Sequence, residues 1–257
     1  MLEHGQLVEV YDTVLIPALA LAETHWHRGE FNDGKHKFIM ESLKEMIQDR
    51  IDRQQEVQAQ ENSADKQAAT ADSGLVDDVI NSPSLCILSL PARSEADEIA
   101  AMMLAQVLET KSCVVHAASV TYLASEMVDF VEQRKADVVC VSATPPGAMM
   151  HARYLCKQLR RRFPKVKLIV GLWDIEGDLI KASERIGCGA TVVATLADAQ
   201  EQIRLTIQQQ LLSQAEQQAP AERDESIRPR LHPSNYPSHV DVRSALHPVT
   251  PIGSDTV

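Results

Sequence analysis

The sequence predicts a five-stranded, doubly wound parallel α/β sheet preceded by a small helical cap. Three observations predict it. Between residues 84 and about 210, short runs rich in β-branched residues alternate with longer helical patterns. Those runs are apolar with little alternation, as suits strands covered by helices on both faces. Ahead of them lies a helically periodic segment, set apart by a polar stretch.

Leu7 to His25 is apolar along much of its length and carries Pro17 midway. A proline there either kinks a helix or starts a new one in its first turn. Asn32-Asp33-Gly34 is a turn signal. Ile39, Leu43, Met46 and Ile47 then share one face at i, i+4, i+7 and i+8 spacing. Two or three antiparallel helices therefore form a cap over residues 1–51, too short to stand without packing against something else. Residues 52–83, rich in Gln, Ala, Asp, Glu and Ser, read as a solvated linker with room for some helix.

The α/β domain occupies residues 84–212, with strands at 85–90, 113–116, 137–142, 167–171 and 190–194. The helix after the first strand opens at Ser94 with Asp97 three residues on, a capping-box pattern, and buries Ile99, Met103 and Val107. The third helix follows Pro145-Pro146 and stops before Pro164, and the fourth ends at Gly187. Five βα units of this length match a flavodoxin-like sheet. Residues 213–257 hold six of the twelve prolines and no hydrophobic period, and read as a disordered Pro-rich tail.

Composition narrows the function. The chain carries 36 acidic and 25 basic residues, which argues against nucleic acid as a partner. The acidity belongs to the cap, linker and tail, however, because residues 85–213 carry 14 of each sign. No stretch approaches the ~18 uninterrupted apolar residues of a membrane span. Met1-Leu2-Glu3-His4 opens no secretory signal. The five cysteines form no C-x-x-C pair and read as buried small hydrophobes of a reducing, cytoplasmic compartment.

In an open parallel sheet, ligands bind outside the carboxyl ends of the strands. That rule selects four loops and the residues Ala92, Arg93 and Ser94; Ser142, Ala143 and Thr144; Gly171 and Trp173; and Thr195. Small residues there let a ligand approach the backbone, the hydroxyls donate hydrogen bonds, and Trp173 offers a flat apolar surface. Other chemistries fail on their residues. The first βα turn has no glycine for a dinucleotide or a P-loop. A phosphoacceptor site would need an acid where Ser142 stands and a lysine where Thr195 stands. His116 and His151 lack an orienting acid in the sequence and read as ordinary histidines. His25, His27 and His36 lack both cysteine partners and i, i+4 spacing for zinc. The basic run from Lys157 to Lys167 reads first as a solvated face, second as a dock for an acidic partner.

The layout and several motifs resemble cobalamin-binding modules, as in corrinoid carriers and MerR-type cobalamin-dependent photoreceptors. Pro17-Ala18-Leu19 and Trp26-His27-Arg28-Gly29-Glu30 resemble the helical cap of that family. Its sensor branch places Glu-His after the cap Trp, a spacing that lands here on His36-Lys37. Ser142-Ala143-Thr144 and Val170-Gly171 resemble its sheet loops. One departure stands out: the family's D-x-H-x-x-G turn, whose histidine ligates cobalt from below, is replaced by Pro91-Ala92-Arg93-Ser94-Glu95-Ala96-Asp97. The resemblance therefore implies cobalamin held base-on, or a fold kept for a different, more polar ligand. A second likeness, through Tyr11 to Leu19, Leu90 to Glu98 and Pro145 to Cys156, is to the cytoplasmic C-terminal domain of some autoinducer-2-exporter-like transporters.

The expectation is a non-enzymatic sensor or regulatory module. It binds a small ligand between cap and sheet, with Trp26 and His36 above the loops and the ligand ordering one against the other. The alternative is a degenerate scaffold that binds a protein partner, such as the regulatory domain of a membrane transporter. A corrinoid-dependent mutase or methyltransferase is disfavoured, since no substrate barrel accompanies the module.

Overall fold

The computed structural model describes residues 4–69, 85–108, 113–175 and 177–218. Contacts group residues 1–216 into one compact unit, and residues 217–257 group separately. The first six residues of the predicted disordered tail, 213–218, instead continue the last helix, and residues 219–257 lie outside the described residues.

Five strands form one parallel sheet: β1 (Leu85–Pro91), β2 (Cys113–Ala117), β3 (Val138–Ala143), β4 (Lys167–Leu172) and β5 (Thr191–Val193). Their order is β2-β1-β3-β4-β5, the flavodoxin-like arrangement anticipated above. The chain reverses its direction of travel between β1 and β3, which makes their carboxyl ends the topological switch point. Helices α5 (Ala124–Arg134), α6 (Ala148–Arg162) and α7 (Leu179–Ile186) cover one face. Helices α4 (Glu95–Leu108) and α8 (Leu196–Gln218) cover the other, together with the cap.

Helix α4 holds the two parts together. Twelve of its fourteen residues are buried, because it is apolar nearly all round and sits between the sheet and the cap. The cap consists of α1 (His4–Val10), a wide π-turn (Tyr11–Leu15), α2 (Ile16–His27) and α3 (Asp33–Ala69). Pro17 explains the wide turn. With no N–H and a ring that crowds the carbonyl four residues back, it starts α2 within its first turn, and the Ile16 N–H bonds instead to the Tyr11 carbonyl. By length and composition Gly5–His27 is apolar enough to cross a membrane. In this fold its inner face, with Leu7, Val8, Tyr11, Ile16 and Leu19, is packed into the core that α4 shares.

Polar contacts fix the cap where it lies. The Tyr11 hydroxyl donates to Gln106 Oε1 on α4. The Asp12 carboxylate accepts the N–H groups of Leu196 (2.7 Å) and Ala197 (3.0 Å), the first turn of α8. Lys44 Nζ donates to the buried Glu98 at 3.0 Å. The cap is thus seated by protein contacts, where the sequence left its placement to a ligand. On α3 the buried apolar residues are Met40 and Ile47 with the partly buried Leu43 between them, while Met46 points outward, one position off the anticipated stripe. Helix α3 also runs on to Ala69, through residues that composition reads as linker.

Trp173 departs further from expectation. Its ring is fully buried in the core, packed directly over Gly171. A Cβ at Gly171 would stand 2.0 Å from Trp173 Cζ2, so this glycine makes room for the indole rather than for a ligand. Gly171→Ala is therefore expected to destabilise the protein by roughly 1–3 kcal/mol or more, the usual cost of overpacking. Urea unfolding measures it, and pairing the change with Trp173→Leu should recover much of the loss. An unchanged midpoint for Gly171→Ala would contradict this packing.

Candidate functional site

The sequence at the switch point builds a rigid floor. Ser94 and Asp97 form the capping box at the start of α4: the Asp97 N–H donates to Ser94 Oγ (3.1 Å), and Asp97 Oδ2 accepts the N–H groups of Ser94 (2.9 Å) and Arg93 (2.8 Å). The other carboxylate oxygen reaches across to the β3–α6 loop. Asp97 Oδ1 accepts the Thr144 N–H (2.6 Å) and the Thr144 hydroxyl (2.7 Å). One buried carboxylate thus takes four hydrogen bonds and joins the two loops that flank the crevice.

The roof comes from the turn between α2 and α3. Gly29, at φ +74°, lets the chain reverse there, and its N–H bonds to the Trp26 carbonyl at 2.9 Å. This brings Trp26 over His36, with ring centroids 4.3 Å apart and planes within 17° of parallel. Trp26 Nε1 donates to Asp33 (2.9 Å) and His36 Nε2 lies 3.0 Å from Glu23 Oε1. Glu23 is only 1% exposed, and burial pushes its carboxyl above the usual glutamate range, partly offset by His36 and His27 beside it.

Between roof and floor lies a cleft of about 530 Å³. Of the sequence-predicted residues, Trp26, His36, Arg93, Ser94 and Thr144 line it together. Ala92 lines a neighbouring, more apolar cleft of about 470 Å³ with Tyr122, Leu123, Met150 and Tyr154. The remaining predictions fall elsewhere. Ser142, Ala143 and Gly171 are buried strand residues beneath the loops, and Trp173 belongs to the core. Thr195 caps α8, accepting the Asp198 N–H at 3.0 Å. Two residues of the basic run are occupied within the fold: Arg160 donates to the carbonyls of Cys188, Pro164 and Val166, and Arg162 pairs with Glu132.

Sequence reasoning missed Glu23, His27, Lys37, Asp97 and His151, all of which line the main cleft. Glu23 and His27 were legible as an i, i+4 pair on one face of α2. Asp97 was visible only as a helix cap. His151 sits a turn into α6, and burial, followed by the charge of Arg93, lowers its pKa below the ordinary histidine value. Near neutral pH its ring is therefore uncharged and keeps a lone pair.

Residues 86–171, from β1 to β4, match the family described as "B12 binding domain". The matched segment of the α/β part is thus similar to a cobalamin-binding domain. Among solved structures the fold is similar to a novel cobalamin-binding protein from Desulfitobacterium hafniense DCB-2, at 16% identity and a TM-score of 0.42, covering 79% of this chain and 91% of that one. No curated protein matches the sequence.

The chemistry of this cleft can be tested against the cofactor that the matching family implies. Corrin cobalt takes axial nitrogen donors, and the β1–α4 loop offers none, in agreement with the sequence. The cleft itself supplies uncharged His151, with the stacked Trp26 and His36 opposite as a flat roof. Arg93 and His151 also line both clefts, so a ligand too large for one compartment has the second beside it. A nitrogen donor, a flat aromatic roof and a second compartment alongside are what this lining offers a corrin, amid the charges of Glu23, Lys37, Arg93 and Glu95.

The Asp97 bridge makes a direct prediction. Asp97→Ala should lower stability by roughly 2–4 kcal/mol, since charge-assisted hydrogen bonds contribute about 1.5–3 kcal/mol each. Asp97→Asn should recover only part of this, because its amide nitrogen must face one pair of N–H donors. Chemical denaturation that places Asp97→Ala within 0.5 kcal/mol of wild type, below even a single such bond, would contradict the bridge.

Proposed function

We propose that this chain is a non-enzymatic sensor or regulatory module of the cytoplasm, which holds cobalamin between its helical cap and the carboxyl edge of its sheet. One observation carries the reading. Residues far apart in sequence, Trp26 and His36 from the cap and Arg93, Ser94 and Thr144 from the sheet loops, converge on one cleft at the switch point. Cobalamin, when bound, would supply a cobalt centre responsive to light or redox state.

The chain's own residues supply the rest. Trp26 and His36 stack on one another and present a flat surface, while Glu23 orients the His36 ring. Asp97 holds the Arg93–Ser94 and Thr144 backbones in a fixed relation below. A ligand that contacts both sides changes the balance between them in proportion to its differential affinity for each arrangement. Because the cap is already seated on α4 and α8, the response is a shift in a preformed cleft rather than assembly of a loose one.

A second reading has its own observation. Leu123, Met150 and Tyr154 are exposed beside Arg153 and Lys157, a combination suited to a protein partner, as in the regulatory domain of a membrane transporter.

Incubation of the purified protein with hydroxocobalamin and adenosylcobalamin, followed by desalting, tests the first reading. Retained corrin absorbance near one equivalent is expected, and a Trp26→Ala variant should retain at least tenfold less. A colourless wild-type protein after desalting would overturn the ligand assignment.

A further inference from the structure

His151 differs from the other histidines whose side chains are described. His25 and His27 are paired with Glu30 and Glu23, His36 with Glu23, and His116 with Arg134. The His151 imidazole has no hydrogen-bond partner among the described residues, although the residue is only partly exposed and faces a lined cleft. The charged groups around it are Arg93 from the β1–α4 loop, Asp97 from α4 and His27 from the cap.

The local backbone accommodates this ring. Gly147 precedes α6 at φ +86°, a conformation costly to any residue with a Cβ. A Cβ there would also stand 3.2 Å from His151 Cε1, because the imidazole folds back across the start of α6. The glycine thus satisfies the turn and clears the space the imidazole occupies. The ring so placed stands, with Arg93, on the wall shared by the two clefts, central to any ligand that spans both.

We propose that the His151 imidazole is the axial nitrogen ligand of a corrin cobalt bound across these two clefts, taking a role that no residue of the β1–α4 loop can fill. The assignment rests on the corrin reading given above. His151 reaches the site from α6, after β3, so the donor comes from the opposite side of the switch point.

The test uses full-length protein grown with ¹⁵N-histidine, loaded with hydroxocobalamin and reduced to the cobalt(II) state. An axial nitrogen splits the electron paramagnetic resonance lines into triplets if it is ¹⁴N and doublets if it is ¹⁵N. Doublets are expected from the labelled wild type, and triplets, from the corrin's own benzimidazole, from labelled His151→Ala. Triplets in the labelled wild type would overturn the His151 assignment while leaving corrin binding intact. Doublets that persist in His151→Ala would move the role to another histidine and overturn it equally. Failure of the wild type to retain any corrin would remove the underlying reading and this inference with it.

Discussion

The site depends on the Asp97 carboxylate. Two loops that leave neighbouring strands in an open sheet have no intrinsic reason to keep a fixed separation, since the ladder between β1 and β3 ends at Pro91 and Ser142. Asp97 supplies that reason. Buried to 2% exposure, it satisfies the N–H groups of Arg93 and Ser94 with one oxygen and both donors of Thr144 with the other. A buried charge is tolerated only when so fully bonded, so the loops and the carboxylate hold one another in place. The floor of the cleft inherits its shape from this one residue.

The roof is rigid for a different reason. Its aromatic pair rides on α2 and α3, and these are anchored to the α/β part at several points: Tyr11 on Gln106, Asp12 on the start of α8, and Lys44 on Glu98. The π-turn before Pro17 contains Tyr11 and Asp12, both of which bond across to the α/β part. The proline that the sequence marks as a helix problem lies directly beside the residues that anchor the cap.

Much of the fold was legible because its causes are local. Uniformly apolar runs such as Val138–Ser142 can only be strands covered on both faces, and alternation with helices implies parallel order. What escaped were features set by three-dimensional neighbours. Trp173 follows a strand and carries no periodic signal, so nothing local distinguishes a surface indole from one folded back over Gly171. The cap's docking escaped because the side of α4 that carries Glu98 and Gln106 reads as an ordinary solvent-facing helix face until Lys44 and Tyr11 are set against it. In the site, Trp26, His36, Arg93, Ser94 and Thr144 followed from the switch-point rule and the family motifs. His151 did not, because its significance lies in a turn at Gly147 and a wall shared by two clefts.

The account stands on the claim that this cleft, and no other surface, receives the ligand. Titration of ¹⁵N-labelled protein with diamagnetic hydroxocobalamin, followed by two-dimensional nuclear magnetic resonance, reads this residue by residue. The account predicts that the largest shifts fall on the Trp26 indole N–H and on the amides of Arg93, Ser94, Thr144 and His151. Shifts confined to the groove between α4 and α8, or the absence of any shift at saturating corrin, would contradict it.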